Sequence, residues 1–279
     1  SAARRSTRRH STAAPCRWTP PATATSGWST CCFSEAWISS SRTATDAIQL
    51  QRGAEINQQN SNGGTALMRA AQKGQQRVVE LLLQRGAEIN VQDSNGVTAL
   101  MYAASQGHER VIELLLQHGA EINLQNSMGG TALMGAAGNG HERVVEVLMQ
   151  HGAEVDLQSS DGITALMYAA LEGHERVVDL LLQRGAEINL QDRNGVTALM
   201  LAATNGHERV AELLVQRGAE INVQDSSGVT ALMDAARKGH ERVVDLLLQR
   251  GAEINKETFD GGTVPMDAAG NSHERVVDL

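Results

Sequence analysis

Two short apolar blocks alternate along most of this chain, separated by glycines and polar turns, and the pair returns every 33 residues. In the unit 93–125 the first block is Ala99-Leu100-Met101-Tyr102-Ala103-Ala104, and the second holds Val111, Ile112, Leu114, Leu115 and Leu116. The first predicts a short helix opening after Thr98, whose hydroxyl can accept from an orphan backbone N–H of the first turn. Gly107 predicts its end, because a left-handed residue closes many helices. The second predicts a helix over about Glu109–Gln117, closed by Gly119. Its apolar residues cover more than one face, so one partner helix cannot bury them. Burial from both sides, by the units before and after, is the arrangement that satisfies them. Ala120-Glu121-Ile122-Asn123-Leu124-Gln125 then reads as an extended finger, and Asp93-Ser94-Asn95-Gly96 as the turn at a finger's tip.

The period is rigid. Gly63, Gly96, Gly129, Gly162, Gly195, Gly228 and Gly261 form one column, and Thr65, Thr98, Thr131, Thr164, Thr197, Thr230 and Thr263 another. The chain therefore divides into a repeat body over 46–279 and a different segment over 1–45. The body reads as a partial repeat 46–59, full repeats 60–92, 93–125, 126–158, 159–191, 192–224 and 225–257, and a degenerate partial repeat 258–279. In that last unit Pro265 stands where a core leucine stands elsewhere, and Ser272 replaces a turn glycine. Asp46–Gly53 aligns with Val79–Gly86 at a shift of 33, so a degenerate capping hairpin is expected at about 33–52.

The order turn-Gly-x-Thr-x-Leu, Ala-Ala, Gly-His, Val-Val-x-Leu-Leu-Leu, Gly-Ala and Ile-Asn resembles the ankyrin repeat over residues 60–279, with a beginning near 46. The resemblance implies an all-α solenoid of stacked helix-turn-helix hairpins with β-turn fingers. It implies a non-enzymatic module that binds protein partners through its concave face and finger loops. This chain carries Thr-Ala-Leu-Met where the family usually has Thr-Pro-Leu-His. The fixed φ of proline and the local hydrogen bond of histidine are therefore both missing from the expectation.

Charge sharpens the picture. The chain carries −8, but residues 1–46 hold six arginines against Glu35 and Asp46, so that segment is +4 and the remainder −12. An acidic body repels phosphates, so no nucleic-acid partner is expected, and a basic or mixed protein surface is the easier partner. No apolar run reaches the length that spans a bilayer, so no direct membrane insertion is expected. Cys16, Cys31 and Cys32 all precede the repeats; the body fits a reducing compartment, and a cytoplasmic location is expected. The Arg- and Ser-rich, acid-poor start also fits a transit-peptide remnant, which would place the protein in a plastid or mitochondrion. Its first residue, Ser1, fits a processed chain or a fragment.

Candidate chemistry reduces to scaffold. His108, His141, His174, His207, His240 and His273 share one column. Neighbours in it lie about one repeat, ~10 Å, apart, too far to share a metal at ~2 Å. They are read as starts of the second helix. Met68, Met101, Met134, Met167, Met200, Met233 and Met266 directly follow the core leucine and are read as packing. No phosphate loop, dinucleotide motif or nucleophile triad appears, so no catalytic residue, metal, cofactor or small-molecule substrate is expected.

The scaffold positions barely change between repeats, so partner specificity must sit where they do. After the methionine the series is Arg69, Tyr102, Gly135, Tyr168, Leu201, Asp234. After the alanine pair it includes Lys73, Gln106, Leu171, Glu172, Asn205, Arg237 and Lys238. Arg69, Lys73, Tyr102, Gln106, Tyr168, Leu171, Glu172, Leu201, Asn205, Asp234, Arg237 and Lys238 are the candidate partner-binding residues. Tyr102, Tyr168 and Leu201 are the expected anchors. Two other roles fit the same residues: a structural subunit of a larger, organellar complex, or a regulatory fragment of a longer enzyme or channel.

Overall fold

The computed structural model describes residues 55–264. Within them twelve helices run in pairs: α1 Ala66–Gln72 and α2 Gln76–Gln84, α3 Ala99–Ser105 and α4 Glu109–Gln117, α5 Ala132–Gly138 and α6 Glu142–Gln150. They continue with α7 Ala165–Glu172 and α8 Glu175–Gln183, α9 Ala198–Thr204 and α10 Glu208–Gln216, α11 Ala231–Lys238 and α12 Glu241–Gln249. The described residues form no strand; one isolated bridge joins Glu257 and Thr263. The expected capping hairpin at 33–52 and the unit beyond Val264 lie outside the described residues.

Each hairpin starts as the sequence dictates. Thr98 is extended, with φ −98° and ψ 168°, and its Oγ1 accepts from Met101 N at 3.3 Å. The same cap recurs at Thr65, Thr131, Thr164, Thr197 and Thr230. Gly107 closes the turn with φ 75°, a conformation a Cβ opposes.

Packing is between neighbours. Every first helix lies against its own second helix and against the first helices of the adjoining repeats. The alanine pairs make the close approach possible: Ala103, Ala104, Ala136, Ala137, Ala169, Ala170, Ala202 and Ala203 are fully buried. Leu100, Val111, Ile112 and Leu115, with their counterparts, supply the apolar bulk. Met68, Met101, Met134, Met167, Met200 and Met233 are buried too, so these six are core, while Met266 lies outside the described residues.

Four hydrogen-bond ladders bind repeat to repeat. His108 Nε2 meets Gln72 O of the preceding repeat at 3.1 Å, and His141, His174, His207 and His240 repeat the contact with Ser105, Gly138, Leu171 and Thr204. In the fingers, Asn90 Oδ1 accepts from Glu121 N at 2.9 Å while Asn90 Nδ2 donates to Glu121 Oε1 at 3.1 Å. Gln92 Nε2 donates to Gly96 O within its own finger and to Gln125 O of the next. At the tips Ser94 N donates to Asn62 O and Ser127 N to Asn95 O, both at 2.9 Å. Each ladder satisfies polar groups that stacking would otherwise leave unpaired.

Two glycines in opposite settings test this account. Gly135 lies inside α5, and a Cβ there would meet Ser105 at 3.6 Å, ordinary contact. Gly135→Ala is expected to raise stability by about 1 kcal/mol, because glycine weakens a helix interior by that much. Gly107→Ala is expected to lower it by at least about 1 kcal/mol, from the left-handed backbone and a Cβ 2.7 Å from the His141 ring. Urea denaturation of the two variants checks both signs.

Candidate functional site

The variable positions after Met and after Ala-Ala fall on the first helices. The first helices lie side by side, and the residues after Met and after Ala-Ala form a strip along them, beside the fingers. The corner between strip and finger is fixed at Tyr102, whose hydroxyl donates to Asp93 Oδ2 at 2.7 Å. Asp93 Oδ1 in turn accepts from Asn95 N and Val97 N, both at 2.9 Å. Strip and finger are therefore joined through one carboxylate.

Along the strip Lys73, Gln106 and Lys238 are exposed. Arg69, Tyr102, Leu171, Glu172, Leu201, Asn205, Asp234 and Arg237 are half-buried. Asn205 Nδ2 donates back to Leu201 O at 2.8 Å, which folds the amide onto its own helix. Thr204 Oγ1 donates to Asp234 Oδ2 of the next repeat at 2.9 Å, and Arg237 pairs with the other oxygen of that carboxylate. Leu201 is the apolar residue left partly open between these polar neighbours.

Tyr168 differs from its expected part. It is only 6% exposed, so it packs rather than projects. The preceding repeat has Gly135 and Gly138 at the matching positions, and a Cβ at Gly138 would lie 3.5 Å from the Tyr168 Cβ. Tyrosine thus settles against nearly bare backbone. Tyr102 follows Arg69 and Gln72 instead, and stays higher on the ledge. The difference lies in the neighbouring repeat, which a reading of Tyr168 alone does not register.

The sequence reading included the finger loops in the binding surface but named none of their residues. Met128 is 43% exposed and Phe259 77% exposed, and Arg193 is exposed beside them in the series. The signal was present: these three replace the serine or polar residue that most other tips carry.

Two surface groups have shifted acidities. Arg110 is held above its ordinary value, first by its hydrogen bond to Glu113 and then by that carboxylate's charge. Asp260 is held below its ordinary value, first by the Thr258 hydroxyl that donates to it. Both are local turn and helix-surface contacts. Among the described residues no three His, Cys, Asp or Glu side chains come together to hold a metal ion. No described helix is long and apolar enough to cross a membrane.

Comparison with known proteins agrees with this architecture. A family model described as ankyrin repeats matches residues 37–126, 120–192 and 185–258. Among solved structures, the crystal structure of the human ASB11 ankyrin repeat domain superposes with a TM-score of 0.72. The two share 27% sequence identity, and the match covers 77% of this chain and 97% of that one. A search of curated protein sequences finds no match.

The burial contrast sets an expectation for the two tyrosines. Tyr168→Ala should cost about 3 kcal/mol, as removal of a buried aromatic does. Tyr102→Ala should cost less than half of that. Denaturant midpoints of the two single variants measure the difference.

Proposed function

The chain belongs to the ankyrin-repeat family, and from that premise we propose that it is a non-enzymatic adaptor or scaffold that binds a protein partner along the strip and the finger tips. Ankyrin repeats are in general protein-protein interaction modules. One observation carries the reading for this chain. Its repeats are nearly identical, yet the residues after Met and after Ala-Ala change from one repeat to the next along the first helices, where Tyr102 and Leu201 present apolar surface among exposed polar groups.

A rigid scaffold suits this work. The ladders fix the ledge before a partner arrives, so little ordering is needed on binding. Half-buried aromatic and aliphatic residues ringed by polar side chains have the character of interface hot spots. Leu171 and Leu201 would supply contact area, while Gln106, Glu172 and Asn205 would set register by hydrogen bonding.

Affinity capture with the full chain as bait, compared with a Tyr102→Ala/Leu201→Arg double variant, tests the assignment. The expected result is a partner retained by the parent and lost, by tenfold or more in affinity, from a variant that still unfolds cooperatively and is fully folded at the assay temperature. Equal retention by both would remove the ledge as the binding face.

A further inference from the structure

Asparagine followed by glycine has a chemistry of its own, and the chain carries the pair at Asn62, Asn95, Asn139, Asn194 and Asn205. A glycine N–H has no side chain beside it, so it reaches the preceding asparagine Cγ with little hindrance. The structure puts these asparagines in two settings.

Asn139 and Asn205 are the C-cap residues of α5 and α9. The last carbonyls of a helix lack helical partners, and these side chains turn back to supply one. Asn139 Nδ2 donates to Gly135 O and Asn205 Nδ2 to Leu201 O, each at 2.8 Å. Asn62, Asn95 and Asn194 sit instead at finger tips and are exposed. Their turn is held by another side chain. Asn60 Oδ1 accepts from Asn62 N and Gly64 N, Asp93 Oδ1 from Asn95 N and Val97 N, and Asp192 Oδ1 from Asn194 N and Val196 N. The turn therefore has no use for the tip amides, and they make no hydrogen bond among the described residues. Exposure does not separate the two groups, because Asn139 is exposed too. Neither does the glycine N–H: Gly96 N donates to Asp93 O at 2.8 Å and Gly140 N to Ala137 O at 3.2 Å. The tether on the asparagine side chain does.

We propose that Asn62, Asn95 and Asn194 are self-modifying sites that convert to aspartate and isoaspartate, while Asn139 and Asn205 are held back by their tethers. When a tip opens, the glycine N–H gives its proton to solvent and the nitrogen bonds to the asparagine Cγ. The Cγ–Nδ2 bond breaks and Nδ2 leaves as ammonia, closing a cyclic imide. Water then adds to one imide carbonyl and the C–N bond there breaks. Opening at Cγ leaves aspartate, and opening at the main-chain carbonyl leaves isoaspartate. No electrons are exchanged: amide and water become carboxylate and ammonium.

The two products have different consequences. Asp161 already occupies this tip position, and its carbonyl accepts from Arg193 N at 2.9 Å just as that of Asn95 accepts from Ser127 N. Aspartate thus adds a charge and keeps the rung to the next repeat. In isoaspartate that carbonyl becomes a free carboxylate and the main chain runs one methylene longer, which displaces the rung.

The full chain, freshly purified, is aged at mildly alkaline pH with and without enough urea to unfold it. Peptide fragmentation by mass spectrometry then reads each site and separates aspartate from isoaspartate. In the folded chain each tip asparagine should convert at least about fivefold faster than Asn139 and Asn205, since one hydrogen bond is worth up to about tenfold in an opening equilibrium. In urea the difference should vanish, because unfolding removes the tethers. Chains carrying isoaspartate in place of Asn95 should exchange the Ser127 amide severalfold faster than Asn95→Asp chains. A tip asparagine converting no faster than Asn139 in the folded chain, a difference that persists in urea, or intact tips after the urea-treated chain has converted would overturn the proposal. Equal exchange at Ser127 would overturn the link to the ladder.

Discussion

Helices of seven to nine residues are the central constraint on this molecule. In water such helices are marginal, because nucleation is costly and too few turns follow to repay it. Burial against neighbours supplies the difference. Paired alanines let adjacent helices come close, and the wide apolar surfaces of α4, α6, α8 and α10 need a repeat on either side. No hairpin is a folding unit by itself. The stack is stable as a sum of contacts between neighbours, as expected of quasi-one-dimensional folds.

Most of that was legible in the chain itself. The Thr column predicted the caps, and Thr98 accepts from Met101 N as expected. Gly107 predicted a left-handed end, and the Met column was correctly read as packing. The histidine column was read as helix starts, which it is, but its larger part was hidden. His108 sits at the start of α4 without a side-chain cap and spends its ring on Gln72 O, 36 residues back. Such a contact has no local signature, since it depends on where stacking places a preceding turn. The Asn90–Glu121 pairing escaped for the same reason.

The ledge was legible as a set of positions, less so as a surface. Variation marked out Arg69, Tyr102 and Leu201, and all three lie partly open. Tyr168 was in the same column and is buried, with bare Gly138 of the preceding repeat against it. Equivalent positions in a repeat array share a backbone but not a neighbourhood. Charge needed the same shift of view: the total describes an acidic body, while repeat 60–92 is net positive. A partner meets the local field, not the sum.

The ladders also have a direction. His108, His141, His174, His207 and His240 reach back to the preceding repeat, and the described tip amides donate the same way, from Ser94 N to Asn62 O and onward, whereas the finger glutamines donate forward, Gln92 Nε2 to Gln125 O and Gln125 Nε2 to Gln158 O. Each seam between described repeats is thus stitched in both senses, and prising any one of them open bares donors on both of its faces.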